Sequence, residues 1–303
     1  CFQTTLKLLP QHFEATLKIA ECLMQAENYT DSIDALDHAL TLKPNDASSL
    51  NLRGTALQKQ GLLEQAKVDF EHALALEPSN TDYQLSIAWN QHHRRLYSEA
   101  AAGYQHALEQ DPNNRQALSS LLMLCNYSLE FSKQTIFDWH CSFEEQINSK
   151  PIKHSPRAKA DNEKIRIGYL SADFCFHSVA YFLIPLLENH NHQRFEIFGY
   201  YNAKVEDDYT KRIQASCDHW RTVDAMDDPA LVKQIRGDKL DILVELSGYT
   251  KGNRLPALAR KPARIQVTWL GYPNTTGLRC MDYRLVDQYT DPLPDAQAFS
   301  RES

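Results

Sequence analysis

Residues 264–278, RIQVTWLGYPNTTGL, decide how the second half of the chain folds. The first seven residues are mostly β-branched or apolar and predict a strand, and the glycine and proline that follow predict a tight turn. An almost continuous apolar strand is typical of a sheet covered on both faces, which is usually parallel. Ligands of open α/β sheets bind at the carboxyl ends of the strands, so this turn is a candidate ligand site. An ordinary polar turn would explain the same residues without a ligand.

Upstream and downstream of this stretch, strand patterns alternate with helix patterns. Strands are predicted at residues 165–171, 195–201, 220–223, 241–246, 264–270 and 283–286, and helices at 178–190, 207–216, 229–236 and 255–260. This alternation is typical of βαβ units and predicts a Rossmann-like parallel sheet. The chain contains no GxGxxG and no GxxxxGK[ST], so the common dinucleotide and P-loop phosphate sites are not indicated.

The first half of the chain repeats with a period of 34 residues, marked by four prolines. Positions at fixed distances before each proline keep similar residues: Ala39, Ala73 and Ala107; Leu36, Phe70 and Tyr104; Ser32, Ala66 and Ala100; Tyr29, Leu63 and Tyr97. The pattern resembles the tetratricopeptide repeat (TPR), a pair of antiparallel helices that stacks on its neighbours into an α-solenoid. Such stacks form a concave groove suited to an extended peptide, which favours recognition of a protein or peptide as partner or substrate. A spacer or a homodimerisation scaffold is the alternative.

These patterns divide the chain into three regions. We predict a TPR superhelix with a degenerate last repeat at residues 1–149, a linker at 150–163 and a Rossmann-like domain at 164–303. The linker, KPIKHSPRAKADNE, is rich in proline and charge and poor in apolar residues. Because the chain begins at Cys1 and ends without a recognisable stop, we expect it to be a piece of a longer polypeptide.

Composition excludes several classes of partner. A net charge of -7 with a pI near 5.9 argues against nucleic acid and anionic membranes, which would require a clustered basic surface. No apolar run approaches the ~20 residues of a membrane span. The seven cysteines show no CxxC pair, which indicates neither a metal nor a redox site and is typical of a reducing cytoplasm. The chain contains no DxD motif, the pair of carboxylates that a metal-dependent transferase usually shows.

Three loops follow predicted strands and should converge on one edge of the sheet: residues 172–178, 247–253 and 271–277. The side chains they would bring around one crevice are Asp173, His177, Tyr249, Thr250, Lys251 and Thr275. A histidine there can act as a base or as a hydrogen-bond donor to phosphate near neutral pH, although a lone histidine before a helix is more often a cap or a packing residue. A lysine there can face an anion or simply water. Neither Ser178 nor Ser247 lies in a GxSxG nucleophile elbow.

Three segments carry a resemblance to a known family: residues 173–182 (DFCFHSVAYF), 241–255 (DILVELSGYTKGNRL) and 266–287 (QVTWLGYPNTTGLRCMDYRLVD). Placed after TPRs, they resemble the family that unites O-GlcNAc transferase and SPINDLY, in its bacterial form. The resemblance implies the N-terminal half of a GT-B glycosyltransferase that inverts configuration, needs no metal or cofactor, and moves a hexose from UDP-GlcNAc or GDP-fucose to Ser or Thr of proteins. It implies a catalytic role for His177 and contact of Leu270, Gly271 and Pro273 with the donor sugar. Thr275, on the same turn, is a further candidate for donor binding.

Two interpretations follow for the whole protein. The first is a protein O-glycosyltransferase whose TPR groove holds the acceptor; the second is a non-catalytic TPR adaptor with a relic sheet domain. The family's catalytic unit contains a second Rossmann-like half, which lies outside these residues. We therefore expect the 303-residue chain to be inactive alone and to expose an apolar rim at Trp269, Tyr272 and Leu278. The sequence leaves open which sugar is transferred and which proteins accept it.

Overall fold

The computed structural model describes residues 11–154, 163–292 and 295–303, and the chain divides between Glu130 and Phe131 into two compact units. The first unit is helical and the second is built on a parallel sheet. The predicted order, a helical repeat array followed by a Rossmann-like α/β domain, is confirmed. No helix in the described ranges is both long and apolar enough to cross a membrane.

The first unit consists of consecutive helices that pack in antiparallel pairs. They are α1 (Phe13–Gln25), α2 (Tyr29–Leu42), α3 (Ala47–Lys59), α4 (Leu63–Leu76), α5 (Thr81–His93), α6 (Tyr97–Gln110) and α7 (Arg115–Leu124). Asparagine or aspartate side chains cap several of them, for example Asp46, which accepts the backbone N–H of Ser49 at 2.8 Å. These caps satisfy backbone donors that a helix leaves unpaired at its first turn.

The repeat ladder predicted from the sequence forms the interior of this unit. The alanine, aromatic or leucine, and small-residue positions of each repeat are buried, and Tyr29, Leu63 and Tyr97 begin the second helix of each pair. Small residues allow close approach: a Cβ atom added at Gly54 would lie 2.7 Å from the ring of Phe70. The first marker of the period, Pro10, lies outside the described residues.

The second unit begins with α8 (Lys133–Ile147), a helix that the sequence pattern had placed in a last degenerate repeat. The division at Glu130 and Phe131 groups it instead with the sheet, because its buried side chains His140 and Phe143 pack against Tyr249 and Tyr272 from loops of the sheet. The predicted boundaries at 149 and 163 stay predictions, since residues 155–162 of the proposed linker lie outside the described residues.

The remaining strands and helices of the second unit alternate as predicted, with ends that differ by at most two residues, and one short helix after the last strand was not predicted. They are β1 (Ile165–Ser171), α9 (Ser178–Glu188), β2 (Phe195–Tyr201), α10 (Asp208–Ala215), β3 (His219–Thr222), α11 (Asp228–Asp238), β4 (Ile242–Glu245), α12 (Leu255–Leu258), β5 (Ile265–Trp269), β6 (Tyr283–Leu285) and α13 (Asp295–Ala298). The strands form one sheet in the order β3-β2-β1-β4-β5-β6, and every neighbouring pair is parallel. This is the doubly wound arrangement, with its switch point between β1 and β4.

One hydrophobic cluster of this unit lies between α9 and one face of the sheet. Ile167 and Tyr169 of β1, Ile197 of β2 and Val267 of β5 pack against the buried side of α9, including Leu183. The strands pair in register, for example Val244 opposite Val267, so that the carboxyl ends of β1, β4 and β5 reach the same edge. The loops predicted to carry the site leave the sheet there.

Candidate active site at the carboxyl edge of the sheet

The three loops that follow β1, β4 and β5 lie against one another. A Cβ atom added at Gly271 would lie 1.8 Å from the carbonyl oxygen of Leu246, and one added at Gly252 would lie 2.6 Å from the Cβ of Ala172. Only glycine permits such approaches, and Gly252 also has a φ of 79°. The topology therefore brings the predicted loops together at the edge where open α/β sheets bind ligands.

His177 is the N-cap residue of α9. Its Nδ1 accepts the backbone N–H of Val179 at 3.3 Å, and its side chain is 43% exposed. A neutral imidazole that accepts through Nδ1 carries its proton on Nε2. In the described part of the chain Nε2 has no hydrogen-bond partner, so this N–H is available to an incoming oxygen.

Asp173 lies four residues before His177 in the same loop, with its Oδ2 at 4.0 Å from Nδ1 of the imidazole. Burial raises the pKa of Asp173, and a positive charge on His177 opposes that effect. The loop is held by the backbone N–H of Asp173, which donates to Oγ of Ser171 at 2.9 Å. Asp173 thus lies near the imidazole without bonding to it, because 4.0 Å is too long for a hydrogen bond.

The β5 loop begins with a strained turn. The N–H of Gly271 donates to the carbonyl of Trp269 at 2.9 Å across Leu270, whose φ is 73°. This combination is the γ-turn that proteins use rarely, because it holds a non-glycine residue in an unfavourable conformation. Pro273, two residues later, is exposed, and its carbonyl accepts from Nη1 of Arg284 at 3.2 Å.

The other predicted crevice residues separate into exposed and buried groups. Lys251 is exposed, and the hydroxyl of the half-buried Thr250 donates to the carbonyl of Ser247 at 2.8 Å. Tyr249 is 2% exposed, and its hydroxyl donates to the carbonyl of Thr276 at 2.6 Å. Thr275 is fully buried and donates to Oε2 of Glu302 at 2.6 Å. These two residues brace the loops, so placing their side chains around an open crevice was a wrong expectation.

The expected apolar rim is also largely absent. Tyr272 and Leu278 are buried, because α8 covers the β5 loop. Tyr272 donates its hydroxyl proton to Nε2 of His140 at 2.7 Å, and Nδ1 of His140 donates to the carbonyl of Ile136 at 2.7 Å. Burial lowers the pKa of His140 to about 4, which keeps the ring neutral in this pairing. Trp269 is the one member of the three that stays partly exposed.

Two buried carboxylates that the sequence analysis did not single out shape the same edge. Glu245, at the end of β4, accepts the backbone N–H groups of Ser247 and Gly248 and the hydroxyl of Thr268. Burial raises the pKa of Glu245, and these hydrogen bonds oppose the shift. Glu302 accepts from both threonines of the β5 loop, including the N–H of Thr276 at 2.7 Å. For Glu245, the signal available in the sequence was a charged residue at the end of the apolar strand ILVE.

Arg254 is a further residue that the sequence analysis missed. Its Nε donates to Asp228 at 2.9 Å and its Nη1 donates to Asn202 at 3.1 Å, which ties the β4 loop to elements after β2 and β3. Asn202 in turn donates to the carbonyl of Gly252 at 2.7 Å.

Among the residues that the structure describes, no group of three or more His, Cys, Asp or Glu side chains is arranged to hold a metal ion.

A cavity of about 580 Å³ lies beside β6, lined in part by Arg284, Asp287 and Glu302, and it adjoins the β5 loop through the contacts of Arg284 and Glu302. None of the predicted site residues lines it. Its position away from the β1 and β4 loops leaves the carboxyl edge as the candidate active site.

A family model described as glycosyl transferase family 41 matches residues 132–302, and a tetratricopeptide repeat model matches residues 1–47 and 51–115. The chain belongs to glycosyl transferase family 41. The family 41 match begins at the start of α8, in agreement with the packing of that helix on the sheet. The resemblance inferred from the three sequence segments is confirmed.

Individual relatives agree with this assignment. The probable UDP-N-acetylglucosamine–peptide N-acetylglucosaminyltransferase SPINDLY of Arabidopsis thaliana is 34% identical over 190 residues, covering 60% of this family 41 chain and 21% of the relative. The probable transferase of the same type SEC, from the same plant, is 34% identical over 181 residues, covering 58% and 18%. A mutant of the O-GlcNAc transferase of Thermobaculum terrenum superposes with a TM-score of 0.82 at 30% identity, covering 96% of this chain and 56% of that one. The chain thus spans about a fifth of the length of these curated relatives.

Proposed function

We propose that the protein is an O-glycosyltransferase that moves a sugar from a nucleotide donor to Ser or Thr hydroxyls of proteins, with inversion. UDP-GlcNAc is the donor that the names of the relatives suggest, and GDP-fucose is the alternative that the sequence resemblance leaves open. The family 41 unit supplies the carboxyl edge of one Rossmann-like domain. The six free cysteines of the described residues are consistent with action in a reducing cytoplasm.

The observation that carries this proposal is the state of His177. Its half-exposed ring lies at the carboxyl edge with Nδ1 engaged in the cap of α9, so the N–H of Nε2 is the group left for a ligand, with no partner among the described residues. In this state His177 donates a hydrogen bond to an oxygen of the nucleotide sugar or of the acceptor. Fixed donors aimed at developing charge are commonly the largest catalytic contribution. A role as general base would need the proton on Nδ1, beside Asp173.

The donor side of the site is the loop of Leu270, Gly271 and Pro273. The γ-turn holds Leu270 in a conformation that its packing must maintain, and such strained residues cluster at ligand-binding positions. Lys251, exposed on the neighbouring loop, would attract the negative diphosphate. The acceptor side is the helical array, whose stacked repeats we propose as the groove for the protein substrate; dimerisation through the repeats stays a prediction.

Two substitutions at one position separate the roles of His177 in the full-length protein. His177→Asn keeps a capping side chain and an N–H donor, whereas His177→Ala removes both. We expect His177→Ala to lower kcat about 100-fold or more with UDP-GlcNAc or GDP-fucose as donor, and His177→Asn to retain measurably more activity. Peptide binding by the repeats should be unchanged in both variants.

Each outcome has a distinct meaning. If Asn and Ala variants are equally inactive while both melt like the wild type, His177 acts as a base and not as a donor. If both are fully active, the carboxyl edge at His177 is not the active site. If the wild type transfers neither sugar, the adaptor interpretation replaces the proposed function.

A further inference from the structure

Three aromatic side chains form an exposed cluster beside His177, and we call Phe176, Tyr181 and Tyr209 the aromatic triad. Their ring centroids are 5.5 to 6.1 Å apart, and all three pairs meet edge to face. Phe176 is 69% exposed and Tyr181 is 52% exposed. The edge-to-face geometry is the favoured one for aromatic pairs, so the rings hold one another in place while their outer surfaces face solvent.

The backbone around the triad is fixed by hydrogen bonds. The N–H of Phe176 donates to Oδ2 of Asp207 at 2.6 Å, and Asp207 also accepts from the backbone and hydroxyl of Thr210 in the capping box of α10. The hydroxyl of Tyr209 donates to that of Tyr181 at 3.4 Å. The triad is therefore a preorganised surface, in which Phe176 and Tyr181 are exposed and the partly buried Tyr209 packs against the core of the unit.

The position of the triad relates it to the acceptor. Phe176 directly precedes His177, so their Cα atoms are about 3.8 Å apart, and each further residue of an extended peptide adds at most ~3.6 Å. An acceptor whose Ser or Thr lies at His177 can therefore reach the triad with a side chain only a few residues from the modified one. An aromatic or large aliphatic side chain there would bury apolar surface on both partners.

We propose that the aromatic triad is a specificity determinant that receives an aromatic or large aliphatic side chain of the acceptor, close in sequence to the modified Ser or Thr. This inference rests on the proposed glycosyltransferase function. A rigid aromatic platform costs little side-chain entropy on binding, which suits it to recognition. Discrimination arises because an acceptor with a small polar residue at that position leaves the rings in water.

The test uses the full-length protein and two series of peptides that contain the Ser to be modified. The series differ at a single flanking position, which is Leu or Phe in the apolar series and Ser in the polar series. The wild type should prefer the apolar peptide by about 10-fold or more in kcat/KM, and Phe176→Ala should reduce that preference to near unity. Phe176→Leu should restore part of it. KM for the nucleotide sugar should stay unchanged in both variants.

Phe182→Ala provides the matched control. Phe182 is 63% exposed on α9, next to Tyr181, but among the described residues its ring makes no contact with the triad. It should keep the wild-type preference. If Phe176→Ala lowers kcat/KM equally for the apolar and the polar peptide, the triad does not select the acceptor and the inference is overturned. The inference is also overturned if Phe182→Ala reduces the preference as much as Phe176→Ala does.

A wild type that transfers sugar without any preference at any flanking position would also overturn the inference, while leaving the proposed function intact. A wild type that transfers no sugar to either series would overturn both. A fall in melting temperature of Phe176→Ala, with donor affinity also lost, would identify the triad as a contact within the protein instead of an acceptor site.

Discussion

Replacing Gly277 by alanine should destabilise the second unit by about 2 to 5 kcal/mol. Gly277 has a φ of 70°, and a Cβ atom added there would lie 2.1 Å from the carbonyl oxygen and 2.4 Å from the carbonyl carbon of His140 in α8. The left-handed backbone alone costs a non-glycine residue about 1 to 2 kcal/mol. Overpacking against a fixed neighbour adds about 1 to 3 kcal/mol, because helix backbone cannot rotate away as a side chain can.

Two other glycines separate these contributions. Gly61 has a φ of 80° but open space around its added Cβ, so Gly61→Ala should cost only the left-handed contribution. Gly237, in α11 of the same unit as Gly277, has neither feature, and Gly237→Ala should be neutral or stabilising by up to ~1 kcal/mol. Urea unfolding followed by tryptophan fluorescence measures all three. A Gly277→Ala variant as stable as Gly237→Ala would refute the packing of α8 on the β5 loop.

The remaining predictions concern the repeat core and the buried histidine. Ala73→Leu should cost about 1 to 3 kcal/mol in urea unfolding because Ala73 is fully buried, whereas Val68→Leu on the same helix, at a 64% exposed position, should be neutral. With its pKa lowered from 6.5 to about 4, His140 binds a proton in the unfolded chain at pH values where the folded chain does not. The contribution of His140 to the free energy of unfolding should therefore fall by about 3 kcal/mol between pH 6.5 and 4, and His140→Gln should reduce the measured loss of stability over this range.

Much of the fold could be predicted from local sequence patterns. The 34-residue period predicted the repeat helices because the same buried small and large residues recur at each turn of the array. Runs of β-branched and aromatic residues predicted β1, β2 and β5, and their parallel pairing followed from the alternation with helices. The partner of α8 could not be predicted, because an apolar helix face looks the same in sequence whether it packs on another repeat or on Tyr249 and Tyr272.

The difference between local signals and contacts with distant residues also explains which parts of the candidate site could be predicted. The edge position of His177 depends only on the end of β1 and the start of α9, both local signals. The burial of Tyr249 and Thr275 depends on α8 and on Glu302, which are more than 20 residues away in the chain. Polar residues in a glycine-containing loop are ordinarily exposed, and only these distant partners make their burial favourable.

The carboxyl edge is consequently divided into a braced part and an open part. Glu245 and Glu302 satisfy the amides and hydroxyls of the β4 and β5 loops from inside, so these groups are engaged within the protein and are not free to bind a sugar. What remains for a ligand is the strained Leu270 turn, Lys251 and the Nε2–H of His177. The bracing is what makes the strain at Leu270 sustainable, because an unfavourable γ-turn persists only where its surroundings overdetermine it. If the β5 loop binds the donor as we propose, a loop held in this way needs little reorganisation, which is the condition under which fixed hydrogen-bond donors contribute most to catalysis.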